Sequence, residues 1–170
     1  GIEAVPFAHE KMDEWRNNFK GIRFINEEAG YNFGGAVDDI WQKPSGELIV
    51  VDVKSTSKNV FDWEDTYSKW EYAKGYQRQL EMYQWLLEKN GFEVASEGYL
   101  VYYNGKKHEP MFNQQLTFDL HLVRLECDNS WVEEAVLNAK NTLDGDMPKP
   151  ASSCENLSLI HISEPTRRTP

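Results

Sequence analysis

Two apolar segments joined by a polar turn constrain the fold of this chain more than any other feature of its sequence. The stretch from residue 34 to residue 58 reads GGAVDDIWQKPSGELIVVDVKSTSK. Residues 42–46 have the composition of a turn, and residues 47–55 are rich in branched side chains that favour a strand. We therefore predict a β-hairpin with strands at residues 31–41 and 47–55.

This hairpin is predicted to bring charged side chains together. If its turn is centred near Ser45, residues whose numbers sum to about 90 face each other, so that Asp38 lies across from Asp52. Facing residues point to the same side of a sheet, with side chains roughly 5 Å apart. Lys54 shares that side because strand side chains alternate. A slip of one residue in the register would instead place the two aspartates on opposite faces.

Two carboxylates and a lysine on one face favour metal chemistry. Carboxylates held this close in a half-buried site repel each other, and a hard divalent cation removes that repulsion. Mg²⁺ is bound by few carboxylates and keeps waters that a phosphate or a nucleophile can replace. A lysine ammonium can contact that phosphate or orient an attacking water. A surface hairpin with scattered charges is the alternative that these residues alone leave open.

The rest of the chain reads as helices and strands in mixed order. Gly34 and Gly35 mark a point in the first hairpin strand where the chain bends or another segment approaches closely. Asn104-Gly105 is predicted to be a turn. The other predicted elements are a helix at 7–19, a strand at 22–26, a helix at 69–89, strands at 98–103 and 116–126, and a helix at 131–143. This order predicts an α/β fold with a mixed sheet flanked by helices.

Length and charge limit the class of protein. A chain of 170 residues with 40% hydrophobic content is expected to form one domain. We assign that domain to residues 1–156 and expect it to be truncated at both ends, whereas residues 157–170 have the character of a non-native or disordered tail. The net charge of -10 argues against a generally basic nucleic-acid-coating protein. With no apolar run of roughly 20 residues and no signal peptide, we expect a soluble, cytoplasmic protein without membrane contact.

The helix at 69–89 adds a polar pair. Gln79 and Tyr83 lie four residues apart on the face that carries the apolar stripe of Tyr76, Leu80 and Leu87. A glutamine beside a buried stripe needs a hydrogen-bond partner, although one at the edge of the stripe can reach water.

In their order and context, these motifs resemble the PD-(D/E)XK nuclease superfamily, and within it the RecB-type exonuclease branch that includes the CRISPR-associated adaptation nucleases. The resemblance covers residues 34–103, and the motifs that carry it are Gly35-x-x-Asp38, Asp52-x-Lys54 and Gln79-x-x-x-Tyr83.

The resemblance implies a restriction-endonuclease-like fold and a metal-dependent deoxyribonuclease, with exonuclease action expected. It implies that Mg²⁺ or Mn²⁺ is held by Asp38, Asp52 and the backbone carbonyl of Val53. Lys54 would be the catalytic lysine, and Gln79 with Tyr83 would border the site and help to hold DNA. The partners that it implies are DNA and proteins of a DNA repair or CRISPR adaptation complex.

Two features depart from the RecB-type pattern. Many members have an acidic or histidine metal ligand on an N-terminal helix, for which His9 and Glu10 are the candidates here, with a solvated helix face as the alternative. Some members also hold an iron–sulfur cluster, and residues 148–154 resemble the start of its C-terminal cysteine group, ending at Cys154. No further cysteine follows, and Cys127 is interpreted as a core residue, so that a cluster is expected only in an intact, full-length protein.

Two other readings stay open at this point. One is a catalytically inactive member of the same fold that binds nucleic acid or a protein, and the other is an unrelated small α/β binding protein. Convergence of Asp38, Asp52 and Lys54 distinguishes the superfamily from the unrelated protein. The remaining candidates, interpreted mostly as core or surface residues, are His108, His121 (placed on the outward face of its strand), Trp63, Trp70 and Tyr72.

Overall fold

The computed structural model of the chain describes residues 2–108 and 114–146. Its elements are, in chain order, β1 (Val5–Pro6), α1 (Met12–Trp15), β2 (Ile22–Asn26), β3 (Tyr31–Gly35), β4 (Asp39–Gln42), β5 (Leu48–Thr56), α2 (Trp63–Lys69), α3 (Glu71–Lys89), β6 (Glu97–Gly105), β7 (Phe118–Glu126) and α4 (Val132–Asp144). No helix in these two ranges has the length and apolar character that crossing a membrane requires.

A mixed five-stranded sheet forms the centre of the fold. Its strand order is β1-β4-β5-β6-β7, and β2 pairs with β3 in a separate two-stranded sheet. Among the strands of the described residues, β5 and β6 are the pair that runs parallel, and α2 and α3 connect them, as a parallel pair requires. This α/β architecture confirms the predicted mixed sheet flanked by helices and is consistent with a restriction-endonuclease-like fold.

Helix α3 covers one face of the sheet through its apolar stripe. Leu80 and Leu87 are fully buried and pack in the same cluster as Ile40 and Val50 of the hairpin. The helix ends at Lys89, and Gly91 follows with a φ of +88°, a conformation that glycine adopts readily. The even-numbered residues of β5 face this helix, whereas Ile49 and Val51 belong to a smaller cluster on the opposite face.

Three sequence expectations were wrong in detail. Of the helix predicted at 7–19 only four residues are helical, because the amide of Phe7 still bonds to the Ile40 carbonyl of β4 and the helix already ends at Trp15. The strand predicted at 31–41 is two strands, since β3 leaves the main hairpin to pair with β2. Asn104-Gly105 is not a turn: it ends β6, where the buried Asn104 amide donates to the carbonyl of Lys58 and its oxygen accepts from the Lys58 amide.

Candidate active site

The register of the hairpin places Asp38 beside the second strand. Asp39 pairs with Val51 and Ile40 with Val50, which confirms the predicted register in which residue numbers sum to 90. Asp38 itself stands one residue before β4 and is outside the ladder. Its Oδ2 accepts the backbone amide of Val53 at 2.8 Å. The carboxylate therefore takes the hydrogen bond that the backbone of a longer strand β4 would have taken.

Asp52 is buried at the same level of the hairpin. It is 1% exposed and sits on the face of β5 that turns toward α3. Burial raises the pKa of its carboxyl; Lys54 opposes this rise, and the nearby Asp38 carboxylate adds to it. The two aspartates therefore interact electrostatically, as the sequence predicted for facing carboxylates.

Lys54 is held at its ammonium by groups from two elements. Its Nζ lies 2.5 Å from Oδ2 of Asp52 and donates to Oε1 of Gln79 at 3.2 Å. The same nitrogen lies 4.6 Å from the ring centroid of Tyr76, within the range of a cation–π interaction. The lysine side chain is 18% exposed, so that it lies at the border between the protein interior and solvent.

Gln79 and Tyr83 extend this chain of contacts along α3. Nε2 of Gln79 donates to the hydroxyl of Tyr83 at 2.9 Å, and burial raises the pKa of that tyrosine. The Tyr83 ring passes over Gly35: a Cβ built on that glycine would lie 2.6 Å from Cε1. The expected close approach at this glycine is thus made by the helix. All five side chains predicted from the sequence lie around one spot.

Arg16 was not identified from the sequence and fixes the backbone of the first aspartate. Its Nε donates to the carbonyl of Asp38 at 3.2 Å, and its Nη2 pairs with Oδ1 of Asp39 at 2.5 Å. Asp39 also accepts from the indole of Trp41 at 3.1 Å. Asp39 is therefore a structural carboxylate, and Arg16 joins it to the residue that reaches the site. Nothing in the local sequence could have indicated this contact across more than twenty residues.

The residues present fit a small hard cation. Within residues 2–108 and 114–146 no three His, Cys, Asp or Glu side chains form a metal-binding group, so that Asp38 and Asp52 are the only acidic ligands available at this spot. Oδ2 of Asp52 is buried and, despite its ion pair with Lys54, makes no aligned hydrogen bond. Mg²⁺ commonly takes one or two carboxylates and completes its octahedron with waters and substrate oxygens. An incompletely satisfied, buried carboxylate beside a second one matches that requirement.

His9 and Glu10, the N-terminal candidates for a metal ligand, form no metal-binding group with Asp38 and Asp52. His9 stacks on Trp15, with ring centroids 4.6 Å apart, and its Nδ1 accepts the amide of Lys11. Glu10 is exposed. In the described part of the chain, His9 belongs to an aromatic cluster that also contains Phe7 and Phe92.

The other cysteine and histidine candidates within the described residues contact core or loop residues. Cys127 is partly buried against the core, which raises the pKa of its thiol to about 12. His121 does not point outward as predicted: it faces the core side and stacks on Phe61, with ring centroids 4.1 Å apart. His108 contacts Asn59 through Nε2 at 2.8 Å. Cys154 and the suspected cluster segment lie outside the described residues.

Comparison with known proteins identifies one family. The model of the PD-(D/E)XK nuclease superfamily matches residues 3–156. No curated protein matches the chain. Among solved structures, the crystal structure of SSO0001 is similar, with 17% sequence identity and a TM-score of 0.41. That alignment covers 86% of this chain and 58% of the other, so that the present chain spans less than two thirds of that protein.

Proposed function

This chain belongs to the PD-(D/E)XK nuclease superfamily, which indicates a nuclease, and we propose that it hydrolyses phosphodiester bonds in DNA with the help of Mg²⁺ or Mn²⁺. The observation that carries this proposal is the continuous contact from Asp52 through Lys54 and Gln79 to Tyr83, with Asp38 beside it. The order of these motifs also supports assignment to the RecB-type branch.

The proposed ligands of the cation are the carboxylates of Asp38 and Asp52 and the backbone carbonyl of Val53. The hydrogen bond from the Val53 amide fixes one oxygen of Asp38 and leaves the other to bind. A divalent cation, when bound, polarises the phosphoryl oxygen and lowers the pKa of a bound water. Burial of Asp52 keeps competing bulk water from its carboxylate, which strengthens the attraction to a cation.

Lys54 is proposed to stabilise the negative charge that develops on the phosphate. Its Nζ already has three neighbours, Asp52, Gln79 and the Tyr76 ring, which limit the freedom of the ammonium before substrate arrives. Such preorganisation is the reason why a charge stabiliser is more effective in a protein than in water. Gln79 positions Lys54, and Tyr83 in turn positions Gln79. These two residues of α3 therefore border the phosphate rather than the cation.

The test is digestion of end-labelled single-stranded and double-stranded DNA, with Mg²⁺ or with EDTA. We expect cleavage that requires the cation and that is lost in Asp52→Asn. The matched control is Asp13→Asn, an exposed carboxylate on α1, which should cleave as the wild type does. DNA binding without cleavage under every metal condition would refute the nuclease and favour a non-cleaving member of the fold.

A further inference from the structure

A row of aromatic rings leads from Lys54 to the protein surface. Tyr76, whose ring lies under the lysine ammonium, contacts Tyr72 at a centroid distance of 5.7 Å. Tyr72 in turn contacts Trp70 at 6.1 Å. Exposure increases along the row, since Tyr72 is 46% and Trp70 55% exposed. Large aromatic side chains next to a candidate catalytic residue are thus presented to solvent instead of being packed in the core.

Trp70 occupies a position where another residue would serve the fold better. It lies between α2 and α3 with extended backbone angles and makes no side-chain cap for α3, a position at which Ser, Thr, Asp or Asn is preferred. Its amide donates to the carbonyl of Thr66, and its carbonyl accepts from the amide of Ala73. The backbone is therefore fixed on both sides while the indole remains at the surface, an arrangement that neither capping nor core packing explains.

A small pocket of about 200 Å³ opens beside this row. Its walls include Tyr72, Tyr76, Trp63 and Tyr102, and it also contains Lys58. Nζ of Lys58 donates to the hydroxyl of Thr66 at 2.7 Å, which fixes a positive charge along the same path. Aromatic rings beside positive charges are the combination by which proteins bind single-stranded nucleic acids.

We propose that Trp70 and Tyr72 form a stacking platform for unpaired bases, and that the substrate of this site is single-stranded DNA. The inference rests on the proposed nuclease function, because it places a phosphate at Lys54 while the neighbouring bases lie on the rings. In a duplex the base faces are covered by their neighbours at 3.4 Å spacing along each strand. The exposed rings of Trp70 and Tyr72 can therefore stack only on bases that have left the duplex, as in a single strand.

The experiment measures binding without catalysis, using fluorescein-labelled oligodeoxythymidylate of about 15 nucleotides and an abasic oligonucleotide of the same length, in EDTA. Trp70→Ala and Tyr72→Ala should each weaken binding of the thymidylate about tenfold, the loss typical of one stacked base. Neither change should alter binding of the abasic strand. Trp70→Phe and Tyr72→Phe retain a ring and should restore most of the affinity.

Phe19→Ala is the matched control, because Phe19 is an aromatic residue that is 91% exposed elsewhere on the surface. It should leave both affinities unchanged. Equal affinity of the wild type for the two oligonucleotides, or equal losses on both strands in the alanine variants, would overturn the platform. A parallel Mg²⁺ digestion separates the two proposals: absence of cleavage by a wild type that binds thymidylate through its rings would refute the nuclease alone.

Discussion

The ion pair between Lys54 and Asp52 gives a prediction in which stability reports on the site without a nuclease assay. Replacing Lys54 with methionine removes the ammonium but keeps a flexible apolar stem against Tyr76. The Asp52 carboxylate, whose side chain is 2% exposed, then has no ion-pair partner among the described residues of the metal-free protein. A buried charge without a partner destabilises the folded state.

The structure sets the size of this effect. Removal of one partner from a buried ion pair costs about 3–5 kcal/mol. Because the lysine side chain is 18% exposed, we expect a value near the lower end, about 3 kcal/mol at neutral pH. In a domain of this size such a loss corresponds to a fall of about 6–12 °C in the melting temperature.

The same variant should have a characteristic pH dependence. Burial already raises the pKa of Asp52, and Lys54 opposes that rise, so that removing the ammonium raises the pKa further. The folded state then binds a proton that the unfolded state, with its ordinary carboxyl pKa of about 3.9, has released. Stability relative to the wild type is therefore expected to fall as pH rises from about 4 toward the raised pKa, and to be recovered on acidification.

Urea denaturation in EDTA, measured between about pH 4 and 8, tests both statements. The double variant Asp52→Asn/Lys54→Met has no buried charge and should regain most of the lost stability. Added Mg²⁺ should stabilise the single Lys54→Met variant, because the cation supplies the missing positive charge and binds only the folded state. Unchanged stability of Lys54→Met at pH 7, or a deficit that does not vary with pH, would refute the argument.

Other substitutions test the roles of single residues. Asp52→Asn should abolish cleavage and weaken Mg²⁺ binding by calorimetry, while the metal-free fold loses less stability than in Lys54→Met, because the charge that burial disfavours is removed and the remaining Lys54 ammonium keeps its contacts with Gln79 and Tyr76; wild-type activity in this variant would exclude the metal-nuclease mechanism. Lys54→Met should retain calorimetric Mg²⁺ binding but lose about a hundredfold in cleavage rate, or about 3 kcal/mol of transition-state stabilisation; loss of metal binding would instead make the lysine a structural support for the ligands. Gly35→Ala should cost about 1–3 kcal/mol in urea denaturation and lower activity, since its Cβ would displace the Tyr83 ring; wild-type stability would show that the ring yields without cost.

The elements predicted well are those whose sequence signal is local. Strand β2 has the predicted bounds, and the hairpin register follows from a turn of ordinary composition. The helix at 7–19 failed because only part of its apolar spacing is used: Met12 and Trp15 lie on one helical turn and are buried in the same cluster, whereas Phe19 lies beyond the turn and is exposed. Periodicity alone cannot show where a helical segment ends.

The site was predictable because its residues lie on regular elements whose geometry is known in advance. Asp52 and Lys54 share a face by strand alternation, and Gln79 and Tyr83 share one by helical spacing. Tyr76 was assigned to the same apolar stripe of α3, yet its ring also contacts the ammonium of Lys54. Distinguishing those two roles requires the distance between β5 and α3, which no local pattern contains.

The two adjacent aspartates show where the sequence stops being informative. Asp38 and Asp39 are chemically identical, and either could have been the ligand; the register decides between them, because only Asp38 shares the face of Asp52. Asp39 begins the ladder and is neutralised by Arg16, whereas Asp38 precedes the ladder and accepts the Val53 amide. The end of strand pairing is thus the feature that positions the first carboxylate. A longer β4 would satisfy that amide with backbone and leave the Asp38 side chain without its anchor, so that the site depends on where the strand stops as much as on which residues it contains.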